Sequence, residues 1–127
     1  MVPPLNVLYV DDDPDIRELV SLSLELDGAI QVSTASGGRD ALAQLDAGLK
    51  PDIILTDVMM PDVDGPTTLA AIRERGHLDA VPVVFLTARA LESERKRFLA
   101  MGAMAVIIKP FDPTTLAAQV RRLHAQA

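Results

Sequence analysis

Four short apolar runs, each rich in β-branched residues and each closing on a polar or charged side chain, are separated along this chain by segments of helical spacing. They occupy residues 5–10, 52–56, 83–86 and 104–108, and a weaker alternating run at 30–35 precedes the turn-like Ser36-Gly37-Gly38. Continuous apolar runs of this length read as strands buried on both faces. Between them, Ile16, Leu19, Val20 and Ser23, and later Leu116, Val120 and Leu123, recur with the period of a helix that buries one stripe. The order is βαβαβαβαβα, which implies an α/β fold: a doubly wound, five-stranded parallel sheet with right-handed crossovers, whose functional groups gather at the carboxyl ends of the strands.

Local signals support the helices. Asp13-Pro14 supplies an N-cap and a residue suited to the first helical position, and Asp112-Pro113 repeats the pair before the last helix. Gly28, Gly48, Gly76 and Gly102 each fall where a helix is expected to stop, as residues able to take a left-handed conformation. With no linker or low-complexity run, residues 1–127 read as one domain.

Composition narrows the function. Twelve basic and 18 acidic residues leave a net charge of −6, which argues against a protein that grips nucleic acid through its phosphates. Aromatics make up only 3%, too few for a base-stacking platform. The absence of cysteine excludes disulfides, thiolate catalysis and cysteine-bound zinc. No run reaches the length of a membrane span or signal peptide, so the expected location is the cytoplasm, without membrane insertion.

The residues at the expected strand ends carry the chemistry. Strand one ends in Asp11, Asp12 and Asp13, strand three in Asp57, strand four in Thr87 and strand five in Lys109. Neighbouring strand ends lie roughly 5 Å apart, so these groups can share a pocket. Carboxylates at such quarters repel and call for a cation; with oxygen donors only and no EF-hand spacing, Mg²⁺ is favoured over Ca²⁺ and Zn²⁺. A metal, a lysine and a hydroxyl around one carboxylate suit phosphoryl transfer, with Asp57 as nucleophile, Mg²⁺ and Lys109 balancing charge and Thr87 donating a hydrogen bond. Asp13 reads as a helix cap, and Thr87 can also cap the helix after it.

Four segments carry a resemblance: Val10-Asp11-Asp12-Asp13; Leu55-Thr56-Asp57-Val58-Met59-Met60-Pro61 with Asp64-Gly65; Phe85-Leu86-Thr87-Ala88; and Lys109-Pro110-Phe111. Over roughly residues 5 to 124 the chain resembles the receiver domain of bacterial two-component response regulators. The resemblance implies the flavodoxin-like strand order 2-1-3-4-5. It further implies that Asp57 accepts the phosphoryl group, that Asp12, Asp57 and the Met59 backbone carbonyl ligate Mg²⁺, and that Asp11 acts through metal-bound water. Thr87 and Lys109 would bind the phosphoryl group, the Lys109-Pro110 peptide would be cis, and Met59 and Arg89 would flank the route of hydrolytic water. The implied partners are a sensor histidine kinase or a histidine phosphotransfer protein, and downstream either a protein target or an output domain absent from this chain.

One position departs from the pattern. Many receivers carry an aromatic residue three places before the lysine, where this chain has Val106, so the usual aromatic switch is not expected. Met104-Ala105-Val106 also lacks the acidic pair of many DNA-binding regulators that dimerise through this face. Output is expected instead through the loop after Thr87 and the helix that follows it. Arg95, Lys96 and Arg97 read as a solvated helix face, and His77 and His124 as exposed residues.

Other readings fare worse. An aspartyl-phosphate hydrolase of the haloacid dehalogenase type, also Mg²⁺-dependent, places its nucleophile after the first strand with a second acid two residues on, whereas Val58 and Met59 follow Asp57. A flavin-binding module would want a hydroxyl-rich phosphate loop where three aspartates stand. An unphosphorylated scaffold is opposed by the intact set Asp12, Asp57, Thr87 and Lys109.

Overall fold

The computed structural model describes residues 4–88, 91–112 and 114–127. Its elements follow the expected alternation: β1 (Leu5–Val10), α1 (Pro14–Glu25), β2 (Ile30–Ala35), α2 (Gly38–Asp46), β3 (Ile53–Asp57), α3 (Gly65–Arg73), a single 3-10 turn (Gly76–Leu78), β4 (Val83–Thr87), α4 (Glu92–Ala100), β5 (Ala105–Ile108) and α5 (Leu116–Ala125). All neighbouring strands pair in parallel, in the order β2-β1-β3-β4-β5. The expected strand runs at 52–56 and 104–108 each begin one residue too early, and β3 and β4 extend one residue further, to Asp57 and Thr87. These shifts bring the two polar groups into the ladder, with Asp57 opposite Leu86 and Thr87 opposite Ile108.

Side-chain alternation along the strands builds two cores. Leu8, Val10, Ile54, Val83 and Phe85 point to the side covered by Ala41 and Leu45 of α2, Leu69 and Ile72 of α3, and Phe98 of α4. Leu5, Val7, Tyr9, Ile53, Leu55, Val84, Leu86 and Ile107 point to the other side, beneath Val20 and Leu24 of α1 and Leu116 and Val120 of α5. Most of these side chains are fully buried, each contributing about 1.5–3 kcal/mol relative to exposure. The buried stripe of α1 is therefore centred on Val20 and Leu24, not on Leu19 and Ser23; Leu19 is 44% exposed.

The capping signals divide. The Asp13 carboxylate accepts from the N–H groups of Asp15 and Ile16, as expected of an N-cap before Pro14. Asp64 caps α3 in the same way, accepting from Thr67 N–H at 2.8 Å. Asp112 does not cap the last helix, which begins at Leu116; it closes a local turn by accepting from the N–H and hydroxyl of Thr114. Its neighbour Pro113 lies outside the described residues. Gly28, Gly48 and Gly102 take positive φ after α1, α2 and α4, whereas Gly76 opens the 3-10 turn without it. Gly37-Gly38 forms the entry to α2. A Cβ on Gly38 would clash with the Thr68 hydroxyl of α3, so close approach of α2 and α3 is what requires glycine there.

Candidate functional site

Strand parity decides which side of the sheet each polar group occupies. Asp11 continues the set Leu5, Val7 and Tyr9; Asp57 continues Ile53 and Leu55; Lys109 follows Ile107 by two residues. All three therefore emerge on the α1/α5 side at the carboxyl edge. There the Lys109 ammonium lies 3.1 Å from Asp57 Oδ1 and 3.6 Å from Asp11 Oδ2. Thr87 has the opposite parity, following Val83 and Phe85, and approaches the edge from the α2/α3/α4 side.

Asp11 is held from several directions. It is 1% exposed. Its Oδ1 accepts from Asp13 N–H at 3.0 Å, and its Oδ2 accepts from the Tyr9 hydroxyl at 2.7 Å. The Arg17 guanidinium of α1 donates to the Asp11 backbone carbonyl at 2.7 Å. Burial raises the Tyr9 hydroxyl pKa far above its ordinary value, and the hydrogen bond to Asp11 and the nearby carboxylate charges add to the rise, so Tyr9 stays a neutral donor.

Asp57 is buried at the end of β3, and its Oδ1 accepts from Val58 N–H at 3.1 Å. Burial pushes its carboxyl pKa upward; Lys109 and the Val58 N–H oppose the rise, and the charge on Asp11 adds to it. Gly65 rests on the backbone here, donating its N–H to the Val58 carbonyl at 2.8 Å. Lys109 is fixed at its backbone, where its N–H donates to the Thr87 carbonyl at 2.7 Å, and the Lys109-Pro110 peptide is cis. Thr87 does not cap α4, whose N-cap is Leu91.

The carboxylates fit a metal. One oxygen from each of Asp11, Asp12 and Asp57 lies within 4.8 Å of the other two, and Asp12 is exposed to solvent on the open side. This all-oxygen set suits a hard divalent ion such as Mg²⁺. Lys109 supplies part of the compensating charge that the three acids require. Met59 projects its side chain into solvent at 77% exposure, while Met60 turns into the core. Arg95, Lys96, Arg97 and His77 are exposed, but His124 is half-buried. Arg89 lies outside the described residues.

Two contributors were not singled out from sequence. Tyr9 is signalled by its spacing: a tyrosine two residues before Asp11 in a buried strand shares that residue's face and needs a partner for its hydroxyl. Gly65 is signalled only as part of Asp64-Gly65, since nothing local shows that the Asp57 backbone lies against it.

The response regulator receiver domain family matches residues 7–121. The chain is 40% identical over 126 residues to the response regulator Rre1 of Synechocystis sp., covering 99% of this chain and 54% of that protein. It is 38% identical over 120 residues to the transcriptional regulatory protein TrcR of Mycobacterium tuberculosis, covering 94% and 45%. The chain thus spans about half the length of these two relatives. Among solved structures, the chemotaxis response regulator CheY4 of Vibrio cholerae superposes with a TM-score of 0.86 at 34% identity, covering 94% of this chain and 98% of that one. With its strand order and the grouping of Asp11, Asp12, Asp57 and Lys109, the chain belongs to the response regulator receiver domain family.

Proposed function

We propose that residues 1–127 act as one receiver unit whose Asp57 takes a phosphoryl group from a phosphohistidine on a sensor histidine kinase or a histidine phosphotransfer protein. An Asp57 carboxylate oxygen forms the new O–P bond as the donor's N–P bond breaks, and the imidazole leaves with that bond's electron pair. The observation that carries this reading is the Lys109 ammonium 3.1 Å from Asp57 Oδ1, beside two further carboxylates at the carboxyl edge of a parallel sheet. Lys109 and the Thr87 hydroxyl stabilise the transferring phosphoryl oxygens. Asp11, Asp12, Asp57 and the Met59 backbone carbonyl would hold Mg²⁺. When bound, the ion offsets the charge of acids and phosphoryl group together.

The domain is a signalling switch located in the cytoplasm, without an external substrate, nucleic-acid contact or membrane insertion of its own. Among the described residues no helix is long and apolar enough to cross a membrane. The hydrolase reading is not favoured, because Val58 and Met59 stand where its second acid is needed. Output passes to a protein target, or to a domain beyond these residues, through α4 and β5. Val106 pairs with Phe85, and Phe85 packs edge-on against Phe98 of α4 with ring centroids 5.2 Å apart. The aromatic contact thus links β4 to α4 and leaves β5 without a rotating ring.

The test is labelling with acetyl phosphate and Mg²⁺, read by mass spectrometry. Wild type should gain one phosphoryl group at Asp57 and Asp57→Asn none; undiminished labelling of that variant refutes the assignment.

A further inference from the structure

Asp11 and Asp57 share one lysine. Lys109 Nζ stands at 3.1 Å from Asp57 Oδ1, within hydrogen-bond distance, and at 3.6 Å from Asp11 Oδ2, outside it. Asp11 is 1% exposed, so solvent does not supply the donors its carboxylate needs. Those donors are the Asp13 N–H on Oδ1 and the Tyr9 hydroxyl on Oδ2, the latter at 2.7 Å. Tyr9 is itself fully buried, fixed by the strand on the same face as Asp11.

We infer that Tyr9 is a positioning residue: its O–H satisfies Asp11 Oδ2 from inside the sheet and thereby leaves the Lys109 ammonium with Asp57. Without the hydroxyl, Asp11 Oδ2 is a buried anionic acceptor short of a donor, which is strongly unfavourable. Lys109 is the flexible donor in reach, its ammonium carrying three N–H groups on a four-carbon stem. It swings toward Asp11 and away from Asp57, the proposed phosphoryl acceptor. Tyr9 is no ligand of metal or phosphoryl group and acts only through Asp11 and Lys109. The kinetic consequence rests on the function proposed above; the geometric one does not.

Tyr9→Phe removes the hydroxyl and keeps the ring. A crystal structure of this variant should show Lys109 Nζ moved to within hydrogen-bond distance of Asp11 Oδ2 and drawn away from Asp57; unchanged positions overturn the inference. In the acetyl phosphate assay with Mg²⁺, Tyr9→Phe should slow labelling of Asp57 about tenfold, and in a Lys109→Ala background it should add nothing further. Equal slowing in both backgrounds would mean a general structural effect and also overturns the inference. Wild-type protein that takes no phosphoryl group would sink the proposed function instead, while the crystallographic distances still decide the role of Tyr9.

Discussion

Lys109 and Asp57 meet across a strand. Their Nζ and Oδ1 atoms are 3.1 Å apart, yet Lys109 follows β5 and Asp57 ends β3, and β4 runs between them. Two strand spacings are roughly 10 Å, so only a long, flexible side chain anchored at the sheet edge can bridge them. The Lys109 N–H bond to the Thr87 carbonyl supplies the anchor. The middle strand thus contributes the backbone contact that aims the lysine.

Mg²⁺ should raise the melting temperature of the wild type, because Asp11, Asp12 and Asp57 repel one another and Lys109 compensates only part of their charge. Asp12 is the exposed member of the set, so Asp12→Ala should leave the fold intact and remove most of the Mg²⁺-dependent shift. A thermal scan with and without Mg²⁺ checks this; a shift equal to that of wild type would show that Asp12 is not a ligand.

Gly65→Ala should destabilise the domain by about 1–3 kcal/mol, the usual cost of an overpacked methyl. A Cβ there would meet the Asp57 carbonyl oxygen at 2.6 Å and Val58 Cα at 3.0 Å, and both neighbours are backbone. Denaturant unfolding measures the loss. Because the strain bears on Asp57, the proposed phosphoryl acceptor, labelling should slow as well.

Arg121→Ala should lower the melting temperature at neutral pH and have little effect in strong acid. Arg121 of α5 clamps Asp27, just beyond α1, with bonds of 2.9 and 2.5 Å, and holds its carboxyl below the ordinary aspartate value. A depressed carboxyl means that the folded state binds fewer protons than the unfolded one in this range. The contribution is therefore present above the unfolded value of about 3.9 and is lost as pH falls through the lower folded value. Melting curves of both proteins between pH 7 and pH 2 should converge toward the acid end.

Activation should be visible along one route. With beryllofluoride as phosphate mimic, amide chemical shifts should change from Asp57 through Thr87 to residues 91–97 of the α4 region and to Met104, Ala105 and Val106. Changes confined to α1 and its neighbours would place the output surface on the opposite side of the sheet.

The chain's local patterns already determined the strands, the alternation with helices, the Asp13 cap and the acids and lysine at the strand ends. Those features depend on side-chain period and on residues next to one another in sequence. Asp112 and Gly76 show the limit: each has the right local signal, but Asp112 closes a turn ahead of a helix that begins at Leu116, and Gly76 opens a 3-10 turn. Packing of the following segments decides where the backbone enters or leaves a helix. Tertiary structure alone decided that Lys109 stands between two carboxylates and that Gly65 lies against the Asp57 carbonyl. These contacts join groups on different strands and helices, and their distances follow from sheet register, strand parity and side-chain reach together, quantities that no short stretch of sequence contains.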